Sequence, residues 1–141
     1  MCDFCDPNVI KEQGIFFNDV AGVIYPQRPT IFGNVMIIPK RHVQLFYELN
    51  DKEIIEMRNI LEKLFKGFKE KYHATGFNII NNNGKSGNQH VPHVHWHVLI
   101  RFDNEKYSPY DVLNGKVERE DISMPDNVWV SRKKQIADLF N

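Results

Sequence analysis

Residues 93–98 read His-Val-His-Trp-His-Val, with His93, His95 and His97 alternating strictly with Val94, Trp96 and Val98. Period two is the period of a β-strand. It predicts three imidazoles on one face and an apolar row pressed into a core on the other. Neighbours on the histidine face would stand about 6.7 Å apart, twice the rise per residue. His90 lies just upstream, so four of the six histidines fall between positions 90 and 97. Imidazole is the side chain whose unperturbed pKa lies near neutrality. A row of them suits metal binding, phosphate binding or covalent catalysis.

The elements around this row follow from pattern. Ile15 to Asn18 and Ala21 to Tyr25 are short apolar runs that can pair as a hairpin, and Pro26 to Pro29 breaks the chain. Val35 to Ile38 reads as a buried strand stopped by Pro39. Ile54, Met57, Leu61, Leu64 and Phe68 step by three and four, predicting a helix over Asp51–Tyr72. Asn50 and Glu53 stand at capping-box spacing, and Gly67 costs that helix about 1 kcal/mol against alanine. Phe77 to Asn81 reads as a strand, Asn81 to Gln89 as loop, and His93 to Arg101 as a strand, the two strands forming an antiparallel hairpin. His73 suits a helix-end capping role, and Trp96 points into the core. Trp129 fits either the core or a subunit contact. Asn104 to Asp126 carries scattered Pro, Gly, Asn and Asp. Ser131 can cap a short terminal helix whose Ile136, Leu139 and Phe140 dock on the body. Strands and helices segregated in this way predict an α+β fold with an antiparallel sheet of about five strands, one long helix and a short C-terminal helix. A length of 141 residues fits a single domain spanning 1–141.

Lys+Arg and Asp+Glu both number 18, so bulk charge points to neither a nucleic-acid nor a membrane surface. The amino-terminal residues lack a basic region followed by an apolar stretch, and a cytoplasmic location is expected. In that compartment Cys2 and Cys5 are not expected to form a lasting disulfide. Alone, their C-x2-C spacing leaves metal binding, redox chemistry and chance open.

His-apolar-His-apolar-His-apolar-apolar over 93–99 resembles the motif of the histidine triad (HIT) superfamily. Pro29-x3-Gly33-x5-Pro39-Lys40-x-His42 resembles its strand-to-turn segment, and Asn82-x-Gly84-x4-Gln89-x-Val91-x-His93 its phosphate-binding loop. The likeness covers roughly residues 1–101 and leaves 102–141 as a C-terminal extension. It implies an antiparallel sheet with packed helices and, usually, a homodimer. It also implies an enzyme that hydrolyses or transfers from nucleoside phosphoramidates, dinucleoside polyphosphates or related nucleotides through a covalent nucleotidyl-histidine. Carried over by position, His95 is the nucleophile, while His97 binds a phosphate oxygen or orients His95. Asn34, Asn82, Gly84, Ser86, Asn88 and Gln89 fall in the phosphate- and nucleotide-binding positions. Some members hold a structural zinc with a C-x2-C pair and two histidines, which here are Cys2, Cys5, His42 and His93.

The departures are specific. Asn34 stands where the family usually has a phosphate-contacting histidine, and Pro26 where many members place an Asp or Asn on the ribose hydroxyls. Asn88 replaces a frequent glycine, and His90 replaces a Ser or Thr that assists the leaving group, making His90 a candidate general acid. These changes keep an alternative open: a non-catalytic or weakly active nucleotide-binding protein of the same fold. A second alternative makes His93, His95 and His97 a catalytic metal face.

Overall fold

The computed structural model describes residues 2–113 and 124–141. Residues 114–123, inside the stretch read as irregular chain, lie outside that description.

A single turn of 3-10 helix at Asp3–Cys5 leads into α1 (Pro7–Gln13). The sequence pattern assigned no element to α1, although its local chemistry is explicit. The Asp6 side chain accepts from the Asn8 backbone N–H at 2.9 Å, and Pro7 occupies the first turn, where a missing N–H does no harm. The strands β1 (Gly14–Phe17) and β2 (Ala21–Ile24) form the expected hairpin. The Asn18 side-chain oxygen closes its turn by accepting from the N–H groups of Val20 and Ala21. Next come β3 (Asn34–Pro39), α2 (Asp51–Tyr72), β4 (Gly76–Ile80) and β5 (Trp96–Arg101). The five strands make one sheet in the order β1-β2-β3-β5-β4, with every neighbouring pair antiparallel. The fold is α+β, as the pattern implied.

Alternation sorts the sheet into two faces. Val23, Val35, Ile37, Trp96, Val98 and Ile100 point to α2 and meet Met57, Leu61, Leu64 and Phe68 from its apolar stripe. The opposite face carries Ile24, Met36 and Ile38, on which Cys2 and Phe4 of the N-terminal segment are packed. β3 and β5 give Asn34 and His97 to this second face.

Helix α2 is bounded as its sequence predicts. Asn50 and Glu53 exchange hydrogen bonds of 2.8 and 2.9 Å in a capping box. His73 ends the helix in the left-handed region (φ 62°), its backbone N–H reaching Lys69 O. Gly67 has a packing reason: a Cβ there would stand 3.1 Å from the Leu139 Cβ of the C-terminal turn.

Two expectations are corrected. Strand β5 starts at Trp96 rather than His93, because Pro92 supplies no N–H and the His93 N–H folds back to Val91 O at 2.8 Å. Val94 N–H then bonds Val43 O instead of a ladder partner. Ser131 is not a cap: it lies inside α4 (Asp126–Ala137), which follows α3 (Pro109–Leu113) and begins five residues earlier, after Pro125. Ile136 and Phe140 dock as expected, both buried, with Phe140 stacked on Phe16. Trp129 belongs to the body of the chain, stacking on Tyr25 and donating from Nε1 to Pro26 O at 2.7 Å. Among the described residues no helix is long and apolar enough to cross a membrane.

Candidate active site and metal centre

The turn at Pro92 splits the histidine row by function. His93 swings toward the amino terminus, where Cys2, Cys5, His42 and His93 place one ligand atom each within 4.8 Å of one another. The Cys5 thiol lies 3.2 Å from His42 Nδ1 and 3.6 Å from His93 Nδ1, and Cys2 Sγ lies 3.4 Å from each. A tetrahedral zinc with Zn–S of about 2.3 Å and Zn–N of about 2.0–2.1 Å has ligand-to-ligand edges of roughly 3.3–3.8 Å. The sulfur–nitrogen distances fit that figure, and the 3.0 Å between the sulfurs would open slightly. Desolvation and the neighbouring Cys2 thiol push the Cys5 thiol up to about 11, a shift that a cation held beside its sulfur would oppose.

His93 is prepared as a ligand. Its Nε2 donates to Pro39 O at 2.8 Å, which puts the proton on Nε2 and leaves the Nδ1 lone pair facing the thiols. Burial above all holds its pKa below the ordinary value, despite the opposing carbonyl contact. The residues present therefore fit a closed S2N2 zinc site.

His95 is held by the same residue. Its Nδ1 lies 2.8 Å from His93 O; a carbonyl only accepts, so Nδ1 carries the proton and Nε2 carries the lone pair. Among the described residues Nε2 makes no hydrogen bond. The buried polar side-chain atoms without a partner among the described residues are Asn34 Nδ2 and Trp96 Nε1, so Nε2 is not sealed off. Yet the residue is only 4% exposed, more enclosed than an outward-facing strand histidine. The reason is aromatic cover: the Phe4 ring stands edge-on at 5.2 Å and the His97 ring at 5.0 Å. Burial above all, helped by the charge of nearby His90, holds its pKa below the ordinary imidazole value, against the pull of the His93 carbonyl. His90 itself is exposed at the end of the loop.

The loop from Asn81 to Gln89 is stitched down by three amides. Asn81 Nδ2 donates to His95 O at 3.1 Å, and Asn83 Nδ2 donates to Asn81 Oδ1 at 2.9 Å. Asn83 Oδ1 accepts from Phe46 N–H at 2.7 Å. Gln89 accepts from Gly84 N–H and donates to the carbonyls of Gln44 and Val91, so its amide is spent on loop shape. Gly84 takes φ +78°, which favours glycine. Asn82, Ser86 and Asn88 hold no side-chain hydrogen bonds among the described residues, and Ser86 and Asn88 are exposed. Asn34 is 5% exposed. Its Oδ1 accepts from the Thr30 N–H and hydroxyl, which orients the unpartnered Nδ2.

Thus the structure brings His95 and His97 together, sets His90 at their margin, and draws His93 into the cysteine cluster. Among the described residues the group able to hold a metal takes His93 and not His95 or His97. Pattern reading passed over Phe4, Asn81, Asn83 and Thr30. Asn81 and Asn83 looked like generic loop residues, and nothing in the chain near Phe4 announces a contact 91 positions away.

Comparisons with known proteins bear on the family and the fold. An uncharacterized HIT-like protein of Methanocaldococcus jannaschii is 29% identical over 107 residues, covering 74% of this chain and 82% of its own. An adenosine 5'-monophosphoramidase of Schizosaccharomyces pombe is 32% identical over 79 residues, 56% of each chain. The crystal structure of a Zn-bound histidine triad family protein from Mycobacterium smegmatis superimposes with a TM-score of 0.67 at 24% identity, covering 90% of this chain and 83% of that one. The HIT domain profile matches residues 8–104, a span that holds the triad, its loop and both strands beneath them, and the chain belongs to the HIT family.

Proposed function

We propose that the protein is a nucleotidyl hydrolase or transferase of the cytoplasm, acting on a nucleoside phosphoramidate, a dinucleoside polyphosphate or a related nucleotide. The observation that carries this is the setting of His95: Nδ1–H tied to His93 O, Nε2 bearing its lone pair beside a loop with uncommitted polar groups. The phosphoramidase among the relatives supports the first substrate class.

In this reading the Nε2 lone pair attacks the α-phosphorus and an N–P bond forms. The P–N or P–O bond to the leaving group breaks, and the leaving group takes the electron pair and a proton, for which His90 is the donor. Water then attacks the phosphorus, its proton passes to His90 and restores the donor, the N–P bond breaks, and the pair returns to Nε2. Asn82, Ser86 and Asn88, Gly84 through its turn, Asn34 Nδ2 and His97 meet the charge on the non-bridging oxygens. Gln89 contributes by shaping the loop. Cys2, Cys5, His42 and His93 would hold a structural zinc, which would cross-link the amino terminus to the sheet. Among the described residues strand β4 is a sheet edge, with Phe77 and Ile79 41% and 45% exposed, which suits pairing with a second copy in a homodimer.

The enclosure of His95 favours one second reading, a nucleotide-binding protein with little turnover. Quenched reactions with adenosine phosphoramidate and a dinucleoside polyphosphate, followed by mass spectrometry, separate the two. A nucleotidyl adduct on His95, absent in His95→Ala, is the expected result. Nucleotide binding by wild type with neither adduct nor turnover would establish the second reading.

A further inference from the structure

We propose that Phe4 is a positioning residue for the His95 imidazole, and that the Cys2–Cys5 turn sets its place. The proposal rests on the reading of His95 as the reacting residue.

One hydrogen bond fixes one atom of a ring. The Nδ1–H···O=C contact to His93 anchors Nδ1, but a hydrogen bond tolerates a range of angles, so the imidazole can still tilt through its two side-chain torsions, and a tilt displaces the nucleophilic Nε2. Neighbouring rings must stop it. The two that do are His97, at 5.0 Å and 79°, and Phe4, at 5.2 Å and 76°. Edge-on packing of this kind is directional as well as apolar. Phe4 also stands edge-on to His93 at 5.9 Å, so a single side chain touches both the ligand and the residue that its carbonyl holds.

Phe4 cannot choose its place independently of the thiols. It lies between Cys2 and Cys5 in one 3-10 turn, closed by Cys5 N–H to Cys2 O at 3.1 Å. Once both sulfurs are fixed, the direction of the intervening ring is fixed with them. Its ring is then driven into the apolar patch of Ile24, Met36 and Ile38, which leaves it 8% exposed. The cluster is therefore joined to His95 by two short routes, the main chain of His93 and the ring of Phe4. Displacing Nε2 by about 1 Å is enough to slow an attack about a hundredfold.

The test uses zinc-loaded protein labelled with 15N at histidine, with the His95 ring resonances assigned through His95→Gln. Wild type is expected to show a slowly exchanging Nδ1–H for His95. In Phe4→Leu, which keeps most of the apolar volume, and in Phe4→Ala, that resonance should broaden or vanish while zinc content stays at wild type. Phe4→Tyr, which restores a ring edge, should recover it. In single-turnover measurements the leucine variant should form the His95 adduct about 10- to 100-fold more slowly, with KM changed less than about threefold. An unaltered Nδ1–H signal in Phe4→Leu would overturn the proposal. So would a rise in KM at unchanged adduct rate, which would make Phe4 a substrate contact only. The ring spectrum needs no turnover, so it still reports on Phe4 if wild type forms no adduct; that outcome would instead remove the reading of His95 as nucleophile.

Discussion

His93 carries three obligations at once: Nδ1 faces the thiols, Nε2 donates to Pro39 O, and the carbonyl holds His95. A replacement that satisfies one of these forfeits another, whereas Asn34 has capacity to spare. Leaving a buried donor unpartnered costs about 1–3 kcal/mol, a penalty that a phosphate oxygen in reach of Nδ2 would remove. Asn34→Ala is accordingly expected to weaken inhibition by nucleoside monophosphate about tenfold or more. Its stability should fall only about 1–2 kcal/mol, because the lost Thr30 bonds are partly offset by removing the orphan. Isothermal titration and urea unfolding read the two quantities. Another residue pair fixes the acid limb of stability. Burial alone would raise the Glu53 pKa, but the Arg41 guanidinium, bonded at 2.8 and 3.1 Å, and the Asn50 N–H together hold it below the usual carboxylate value. A carboxylate depressed in the folded state contributes stability above its unfolded pKa, and that contribution is lost as pH falls from about 4.5 downward. Unfolding free energy measured from pH 6 to pH 3 should drop more steeply in wild type than in Glu53→Gln.

Among the elements, helix α2 was legible to the residue, because its stripe, its Asn50/Glu53 box and its end all depend on neighbours within four positions. Asn50→Ala should therefore lower stability by about 1 kcal/mol in denaturant titration, with an unchanged m-value. The sheet was legible for the same reason: the apolar run of β3, stopped by Pro39, and the alternation in β5 are written in the chain. What escaped was set by partners far away. The start of β5 is decided by Val43 and by the Pro92 turn, so the periodicity of 93–98 overshot by three residues. Gly67 read as a weak point in the helix because Leu139, the residue it accommodates, is 72 positions distant. Gly67→Ala should thus gain nothing from better helix propensity. The expected change in thermal midpoint is zero or negative, because Leu139 must shift to admit a Cβ.

At the scale of the whole molecule, the site depends on residues from both ends of its first hundred positions. Cys2 and Cys5 meet His42 and His93 across the sheet, and the chain between them builds everything else. The cluster was foreseen residue by residue through the family pattern; spacing alone could not choose among its uses. Chelation, or the Cys2→Ser/Cys5→Ser pair, is expected to lower the thermal midpoint by roughly 5–15 °C. It should also make residues 2–13 the first point of proteolytic attack, read by mass spectrometry of the fragments. The C-terminal docking is independent of the cluster, since Phe140, Ile136 and Trp129 meet Phe16, α2 and Tyr25 instead.

The two tryptophans divide the molecule between them. Trp96 follows His95 in the chain and its buried indole N–H has no partner among the described residues, while Trp129 is tied to Pro26 O. Their emission should therefore resolve into two colours, a bluer one from the unbonded indole and a redder one from the bonded one. Each becomes a native fluorophore for a separate event, loosening of the core beneath α2 for Trp96 and release of α4 for Trp129, with no dye attached.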